Sequence, residues 1–296
     1  MKYAWIAEQG SSFSLTEMCD ALNVSISGYR AWRRGGAPDR KRLTDRQMLA
    51  LIRAIHAELK GAYGSPRMVR ELRIRGFSAS KERVERLMRD HGIHARHKRR
   101  YKVTTDSKHG LPVAENLLAR NFTPTAPNEV WTSDITYLWT DEGWLYLAIV
   151  LDLFNREVVG WSLKPRMTAE IVTDALTMAW FRKHPAPGLM HHSDRGSQYA
   201  SHAFQEKLKA YGMTCSMSRK GNCWDNAPTE SWFNSFKNEW VHGIRYATHA
   251  DMKATSFEYI EVFYNRKRQH STLSYKSPAR FLEDWLSEQH QEKLVA

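Results

Sequence analysis

A chain of 296 residues, 42% hydrophobic and 26% charged with a net charge of +12, has length enough for two or more domains with real cores. It holds no run of about 18 apolar residues, so no transmembrane helix is predicted, and its start, Met1-Lys2-Tyr3-Ala4-Trp5-Ile6-Ala7-Glu8, is too polar for a signal peptide. Its three cysteines, Cys19, Cys215 and Cys223, form no C-x-x-C pair, which argues against disulfides and a cysteine-rich zinc site and fits a reducing, cytoplasmic location.

The positive charge is one-sided: residues 1–120 carry 25 Lys+Arg against 12 Asp+Glu, while the remainder is nearly neutral. A basic front joined to a neutral body suggests a nucleic-acid-binding region attached to something else. Within it, residues 1–36 read as a helix-turn-helix. Ser14-Leu15-Thr16-Glu17 has the form of a capping box, Met18, Ala21 and Leu22 have helical apolar spacing, and Ser25 caps a second helix after the turn at Asn23. A second helix of this kind enters the major groove, so Arg30, Arg33 and Arg34 are assigned to DNA, whereas Tyr29 and Trp32 are assigned to the core.

The breaker-rich Gly35-Gly36-Ala37-Pro38 separates this from a second helix-turn-helix-like module over 37–101. There Leu49, Ile52, Ile55 and Leu59 form one stripe, Pro66 opens a helix carrying Met68, Val69 and Leu72, and Ser80 caps another with Val84, Leu87 and Met88 inward. Arg83 and Arg86 lie along that last helix and are read as DNA contacts. Residues 102–125 lack periodicity and read as an exposed connector.

From residue 126 the pattern becomes α/β. Strands are predicted over 130–139, 144–151 and 158–163, then a helix from the Thr168 cap to Arg182, a strand over 189–193, a helix over 201–211, a strand over 213–217, and a helix capped by Asn226 with Pro228 just inside it. The order β-β-β-α-β-α-β-α implies a mixed sheet flanked by helices, extending to residue 285, with a tail over 286–296.

Three acids stand out on this frame. Asp134 follows Trp131-Thr132-Ser133, Asp194 follows His191-His192-Ser193, and Glu230, separated from Asp194 by 35 residues, follows Asn226-Ala227-Pro228-Thr229. The 35-residue gap alone is weak, because chance supplies about one such Asp–Glu pair in a chain of this composition. The contexts carry the weight: two acids end apolar strands and the third opens a helix. Three converging carboxylates are hard oxygen ligands suited to Mg²⁺, and a pair of such ions serves phosphodiester chemistry. His191 and His192 read as strand-end residues supporting the Asp194 loop rather than as metal ligands.

With these residues in view, the chain from 120 to 285 resembles the retroviral-integrase-type catalytic core with its ribonuclease-H-like fold. It closely resembles the second-frame product of the two-frame bacterial insertion sequences (the IS-three group), a DDE transposase. The stretches that carry the resemblance are Trp131–Tyr137, His192–Tyr199, Gly221–Glu230 and Tyr264–Ser271, and the first 100 residues resemble the helix-turn-helix region of the same products.

The resemblance implies that Asp134, Asp194 and Glu230 form the acidic triad on two Mg²⁺ ions, with Mn²⁺ a possible substitute. Lys237, seven residues after Glu230, matches the basic residue of the last catalytic helix and shares a face with Glu230 and Asn234. Phe233, Phe236 and Trp240 read as core. Arg195, Arg219 and Lys220 flank the site as phosphate ligands, and Arg266, Lys267, Arg268 and His270 form a further basic cluster. The paired-His, paired-Cys motif of wider integrases is missing, so no structural zinc is expected.

The implied activity is cleavage at element ends to give 3′-hydroxyls, followed by strand transfer. The implied partners are double-stranded DNA (terminal inverted repeats and target), further copies of the chain making at least a dimer, and an upstream-frame product fused by frameshift; no membrane is implied. A nuclease that only cuts, or a DNA-binding regulator with an inactive core, are the alternatives.

Overall fold

The computed structural model describes residues 2–10, 13–34, 43–96, 112–219 and 222–295. The chain divides into two compact units, one of Met1–Ile55 with Met68–Ile93, the other of His56–Arg67 with His94–Ala296.

The first unit is helical. Helices α1 (Lys2–Glu8), α2 (Leu15–Ala21) and α3 (Ile26–Arg33) close on Ile6, Met18, Cys19 and Tyr29. The Ser14–Glu17 capping box forms in full, and Ser25 Oγ accepts the Gly28 N–H, so α2 and α3 start where their orphan amides find side-chain acceptors. Helix α1 was not expected from the pattern, and it supplies the fully buried Ile6. Trp32, expected in the core, is 41% exposed and stacks over Tyr29 instead.

Helices α4 (Asp45–Glu58), α5 (Ser65–Ile74) and α6 (Lys81–Asp90) follow, with Ser80 capping α6 through the Arg83 amide. The buried stripe of α4 contains Met48, Ile52 and Ile55, so the expected Leu49 sits one residue off the inward face.

The second unit is built on a five-stranded sheet in the order β3-β2-β1-β4-β5. Strands β1 (Val130–Thr140), β2 (Gly143–Asp152) and β3 (Val158–Lys164) form an antiparallel meander. Strand β4 (Met190–Ser193) lies parallel to β1, and β5 (Thr214–Met217) lies parallel to β4. Helices α7 (Ala169–Lys183) and α8 (His202–Ala210) are the crossovers. The elements follow one another in the predicted order, and the sheet is mixed and ribonuclease-H-like.

Ile171, Val172, Ala175, Leu176 and Ala179 of α7 cover one face of the sheet with Trp131, Val150, Val159 and Phe204. Gly160 of β3 is the point of closest approach: a methyl there would run into the Ala175 carbonyl oxygen and Ala179, so no other residue fits.

The acid-bearing α9 (Ala227–Phe236) continues through a wider π turn over Lys237–Val241, and α10 (His249–Phe257) through another over Glu258–Tyr264. Phe233, Phe236 and Trp240 are buried, as expected, among Trp232, Tyr259 and Phe263.

Three expectations are corrected here. The described part of the 102–125 connector, from residue 112, docks on β5: the Leu117 and Leu118 amides donate to Ser216 Oγ and the Met217 amide to the Glu115 carbonyl. The tail is not separate, since α11 (Pro278–Val295) runs through residue 286. Neither Thr168 nor Asn226 caps its helix by its side chain. Among the described residues no helix is long and apolar enough to cross a membrane.

Candidate active site

Register places the first two acids. The parallel pairing of β1 with β4 runs from Val130↔Met190 to Ser133↔Ser193, so Asp134 and Asp194 are the next residues on adjacent strands. Asp134 stays in β1, opposite Ile149 of β2, and its Oδ1 accepts the Ile135 N–H at 2.7 Å. Asp194 begins a loop, and its Oδ1 accepts the Gly196 N–H at 2.9 Å. Space beside Gly196 is tight, since an added Cβ would lie 3.0 Å from that carboxylate oxygen.

The third acid is brought in by two pins between α9 and β1. Thr229 Oγ1 lies 2.7 Å from Thr132 Oγ1, and Asn226 Nδ2 donates to the Ser133 carbonyl at 3.1 Å. Both contacts are buried and flank Glu230 and Asp134 in sequence. Asn226 thus anchors the helix to the sheet where a capping role was expected. Glu230 sits in the first turn of α9, where the helix dipole favours negative charge.

The electrostatics show these groups sensing one another. The Asp134 carboxyl is pushed well above the usual range, first by burial, then by the Asp194 charge and, less, by Glu230; the Ile135 amide and Lys237 act against the shift. Glu230 is raised by burial and then by Asp194. Lys237 is lowered by burial, with Asp134 opposing. Lys237 and Asp134 thus sense each other's charge. Asn234 is exposed on the same helix and accepts from Asn238 Nδ2.

As placed, the acids do not close into a cage: among the described residues, no three His, Cys, Asp or Glu side chains converge tightly enough to hold one ion. The donor set nonetheless fits a hard divalent cation in kind. It is all carboxylate, and its crowded negative charge is relieved either by a proton or by a cation.

The two histidines are structural. His191 and His192 are fully buried in β4 and their rings are held neutral by burial, with pKa values lowered to about 3 and about 4. His191 Nε2 meets Ser133 Oγ at 2.7 Å. For His192 the surrounding bonds fix the tautomer. Ser216 Oγ already accepts the Leu117 and Leu118 amides, so its own proton goes to His192 Nδ1 at 2.9 Å. Nε2–H then donates to Ser218 Oγ, which donates on to the Ser193 carbonyl. The network ties β4 to β5 directly beneath Asp194.

Several predicted phosphate ligands are committed elsewhere. Arg219 grips the buried Asp225 through its amide, Nε and Nη2, and Arg120 Nε and Asn116 Nδ2 complete the shell around that carboxylate. Arg195 Nε donates to the Ser218 carbonyl. Arg268 is 3% exposed and forms a two-pronged ion pair with Glu239, joined by Tyr259 OH. It is a core residue and is withdrawn as a DNA contact. Arg83 and Arg86 both bind Asp45. Arg266, Lys267, Arg30, Arg33 and Arg34 are exposed. Lys220, with the basic run 97–100, lies outside the described residues.

Asp225 was missed at the level of sequence. It binds Arg219, Arg120 and Asn116 immediately before α9, five residues ahead of Glu230. The only signal was an acid between aromatic and amide residues in a loop, which does not reveal that Arg219, six positions before it, and Arg120, 105 positions before it, both bind it.

Family models agree with this construction: an integrase core domain matches residues 124–223, a second integrase core domain matches 230–286, and an HTH-like domain matches 42–101. The protein is therefore an integrase-core polynucleotidyl transferase with an amino-terminal DNA-binding helical region. The chain is 43% identical over 287 residues to transposase InsF for insertion sequence IS3A of Escherichia coli (strain K12), covering 95% of this chain and 98% of the relative. An insertion element IS600 31 kDa protein of Shigella sonnei is 43% identical over 268 residues, covering 90% and 98%. The chain belongs to this family of insertion-sequence transposases. Among solved structures, the HTLV-2 integrase catalytic core in complex with magnesium is similar at 18% identity and TM-score 0.41, covering 53% of this chain and 97% of that one.

Proposed function

We propose that Asp134, Asp194 and Glu230 are the catalytic carboxylates of this transposase and hold two Mg²⁺ ions, for which Mn²⁺ can substitute. The observation that carries the reading is the Ser133↔Ser193 register, which sets two acids side by side, with Glu230 pinned to the same strand through Thr229 and Asn226. Bound magnesium supplies positive charge to the attacking and leaving oxygens of a phosphodiester.

The chain's own residues supply position. Asp134 and Asp194 are fixed by backbone amides, Glu230 by the α9 anchor, and Lys237 offers a cation to a phosphate oxygen on the same face. Water attacks the phosphodiester at an element end and a 3′-hydroxyl leaves; that hydroxyl then attacks a target phosphodiester and displaces a second 3′-hydroxyl. The acids around a common substrate serve both steps, so no covalent protein–DNA bond is needed.

The working complex has at least two copies, because two ends are joined, and acts on terminal inverted repeats in the bacterial cytoplasm. End recognition calls for an upstream-frame product fused by frameshift, since genome-scale discrimination needs several kcal/mol over non-specific binding. No structural zinc takes part.

The test is substitution of Asp134→Asn, Asp194→Asn and Glu230→Gln, singly, in Mg²⁺. Cleavage and joining of a pre-cut 3′-hydroxyl end are expected to fall to background while DNA binding persists. Wild-type joining by any of the three would reject the assignment.

A further inference from the structure

Three cations of the basic front, Lys60, Arg67 and Arg96, make their contacts within the second unit. The stretch His56–Arg67, from the end of α4 to the start of α5, and the chain from His94 onward both belong to that unit. The two pieces are joined to each other. The Arg96 amide donates to the Gly61 carbonyl at 2.9 Å, and His56 Nε2 lies 3.0 Å from the His94 carbonyl oxygen. Lys60 and Gly61 turn the chain in the left-handed region, with φ of 51° and 75°. That is an unfavourable conformation for a lysine, and it is held by what the side chain reaches. Lys60 Nζ pairs with Glu258 at 2.8 Å and lies 3.8 Å from the centre of the Trp240 ring.

All three cations meet the π turn that continues α9. Arg96 Nη2 donates to the His242 carbonyl at 2.6 Å and Nη1 to the Glu239 carbonyl at 3.4 Å. A guanidinium there serves carbonyls at the negative end of the helix. Arg67 Nη1 donates to Glu239 Oε1 at 3.3 Å, on a carboxylate that is 6% exposed and also holds Arg268. Between them Tyr63, 1% exposed, accepts the Gln269 amide at 2.9 Å, and its ring meets Phe263 of the second π turn at 6.2 Å.

A π turn is rare and holds one residue more than an α turn. Here the His242 amide reaches back to the Lys237 carbonyl at 2.7 Å. Relaxing it to an α turn would rotate the residues before it against those after it by about 100°. Lys237 is the first residue of the turn, and the gripped Glu239 and Trp240 follow two and three positions later. Contacts on one side of the turn therefore fix the direction of the lysine on the other.

We propose that Lys60, Arg67 and Arg96 are positioning residues for strand transfer, which hold the π turn after α9 and through it the direction of Lys237. The proposal rests on the reading of Lys237 as the cation offered to a phosphate oxygen beside Asp134, Asp194 and Glu230. It takes these three cations out of the set available to DNA.

The experiment uses the full chain and the variants Arg96→Ala and Arg67→Ala/Arg96→Ala. Amide hydrogen exchange over residues 237–242 should quicken about tenfold or more, with the amides of β1 and β2 unchanged. Joining of a pre-cut 3′-hydroxyl end should slow about tenfold or more at saturating DNA, with KM within about twofold of wild type. Arg96→Lys, which keeps the charge but offers one donor group in place of two, should fall between wild type and alanine and guards against a merely misfolded variant. On a Lys237→Ala background, Arg96→Ala should slow joining by less than about twofold further, because the two act through one group. Independent, multiplying losses would overturn the proposal, as would exchange that quickens equally in the turn and the sheet. A third contrary result is a salt slope of DNA affinity that falls by about 0.9 per arginine removed, which would make them phosphate contacts. Exchange does not need catalysis. Wild-type joining by Lys237→Ala would reject the reading of Lys237, and the exchange result would stand or fall separately.

Discussion

Asp134 and Asp225 are two aspartates at opposite sides of the α9 start, and their surroundings push them in opposite directions. Asp225 accepts from Arg219, Arg120 and Asn116, and the Arg219 guanidinium is the main cause that holds its carboxyl far below the usual range. Asp134 has burial and two neighbouring acids against ionisation, and the Ile135 amide and a half-buried Lys237 in its favour. One carboxylate has its countercharge built into the chain, and the other is left wanting a cation. The contrast teaches that an acid whose charge is matched internally organises the fold, while one left unmatched beside others suits the ion-binding role proposed for it.

Asp134→Asn is the sharpest way to break this comparison. Transposition should vanish, yet the metal-free protein should be more stable than wild type at neutral pH. The folded pKa of Asp134 is raised, so its favourable contribution is present at low pH and lost as pH rises through that value; the amide removes the repulsion. Thermal unfolding without divalent metal measures this, and a lower midpoint in the variant would contradict it.

Magnesium titration gives the next largest effect. At a hundredfold excess over its dissociation constant, a ligand bound only by the folded state stabilises by about 2.7 kcal/mol. The wild-type melting midpoint should rise with Mg²⁺, and that of Asp134→Asn should scarcely move. Equal rises would place the ion elsewhere.

Asp225→Asn should do the reverse of Asp134→Asn. It should lower stability by about 2 kcal/mol, discounted because Arg120 and Arg219 are half exposed, and should slow strand transfer by loosening the approach to Glu230. The folded pKa is depressed, so the stabilisation is present above the unfolded value near 4 and is lost as pH falls through the folded one. Denaturant curves of the two proteins should therefore draw together below about pH 4; a constant gap would mean that charge is not what Asp225 contributes.

The smallest effect concerns the basic front. Log affinity for duplex DNA should fall by about 0.9 per neutralised phosphate for each unit of log salt. Removing exposed Arg30, Arg33 and Arg34 should flatten that slope more than removing Arg268, whose guanidinium is occupied by Glu239. Equal slopes in direct binding assays would erase the distinction.

Those arginines also show what a sequence yields and what it withholds. The order of elements along the chain was readable because apolar runs and turn residues are local properties of the chain. The three acids proposed as catalytic stand out because each sits in its own short context. Arg268 is buried and Arg219 is ion-paired, and the sequence showed neither, because residue type announces a cation but not its partner. Arg268 meets Glu239, 29 positions away, and Arg219 shares Asp225 with Arg120, which lies 105 positions from it. The one-residue error at Leu49 has a similar origin: apolar neighbours at 48 and 49 leave the phase of a helix open until something packs against it.

Gly160 carries a consequence for motion. Where β3 passes under α7, backbone lies against Ala175 and Ala179 with no cushion of side chains between them. A helix seated so closely has nothing to slide on, so α7 and the meander move as one body. Whatever adjustment DNA and metal demand must then come from outside this pair, as at the Asp194 loop: the helix and meander are a fixed anvil.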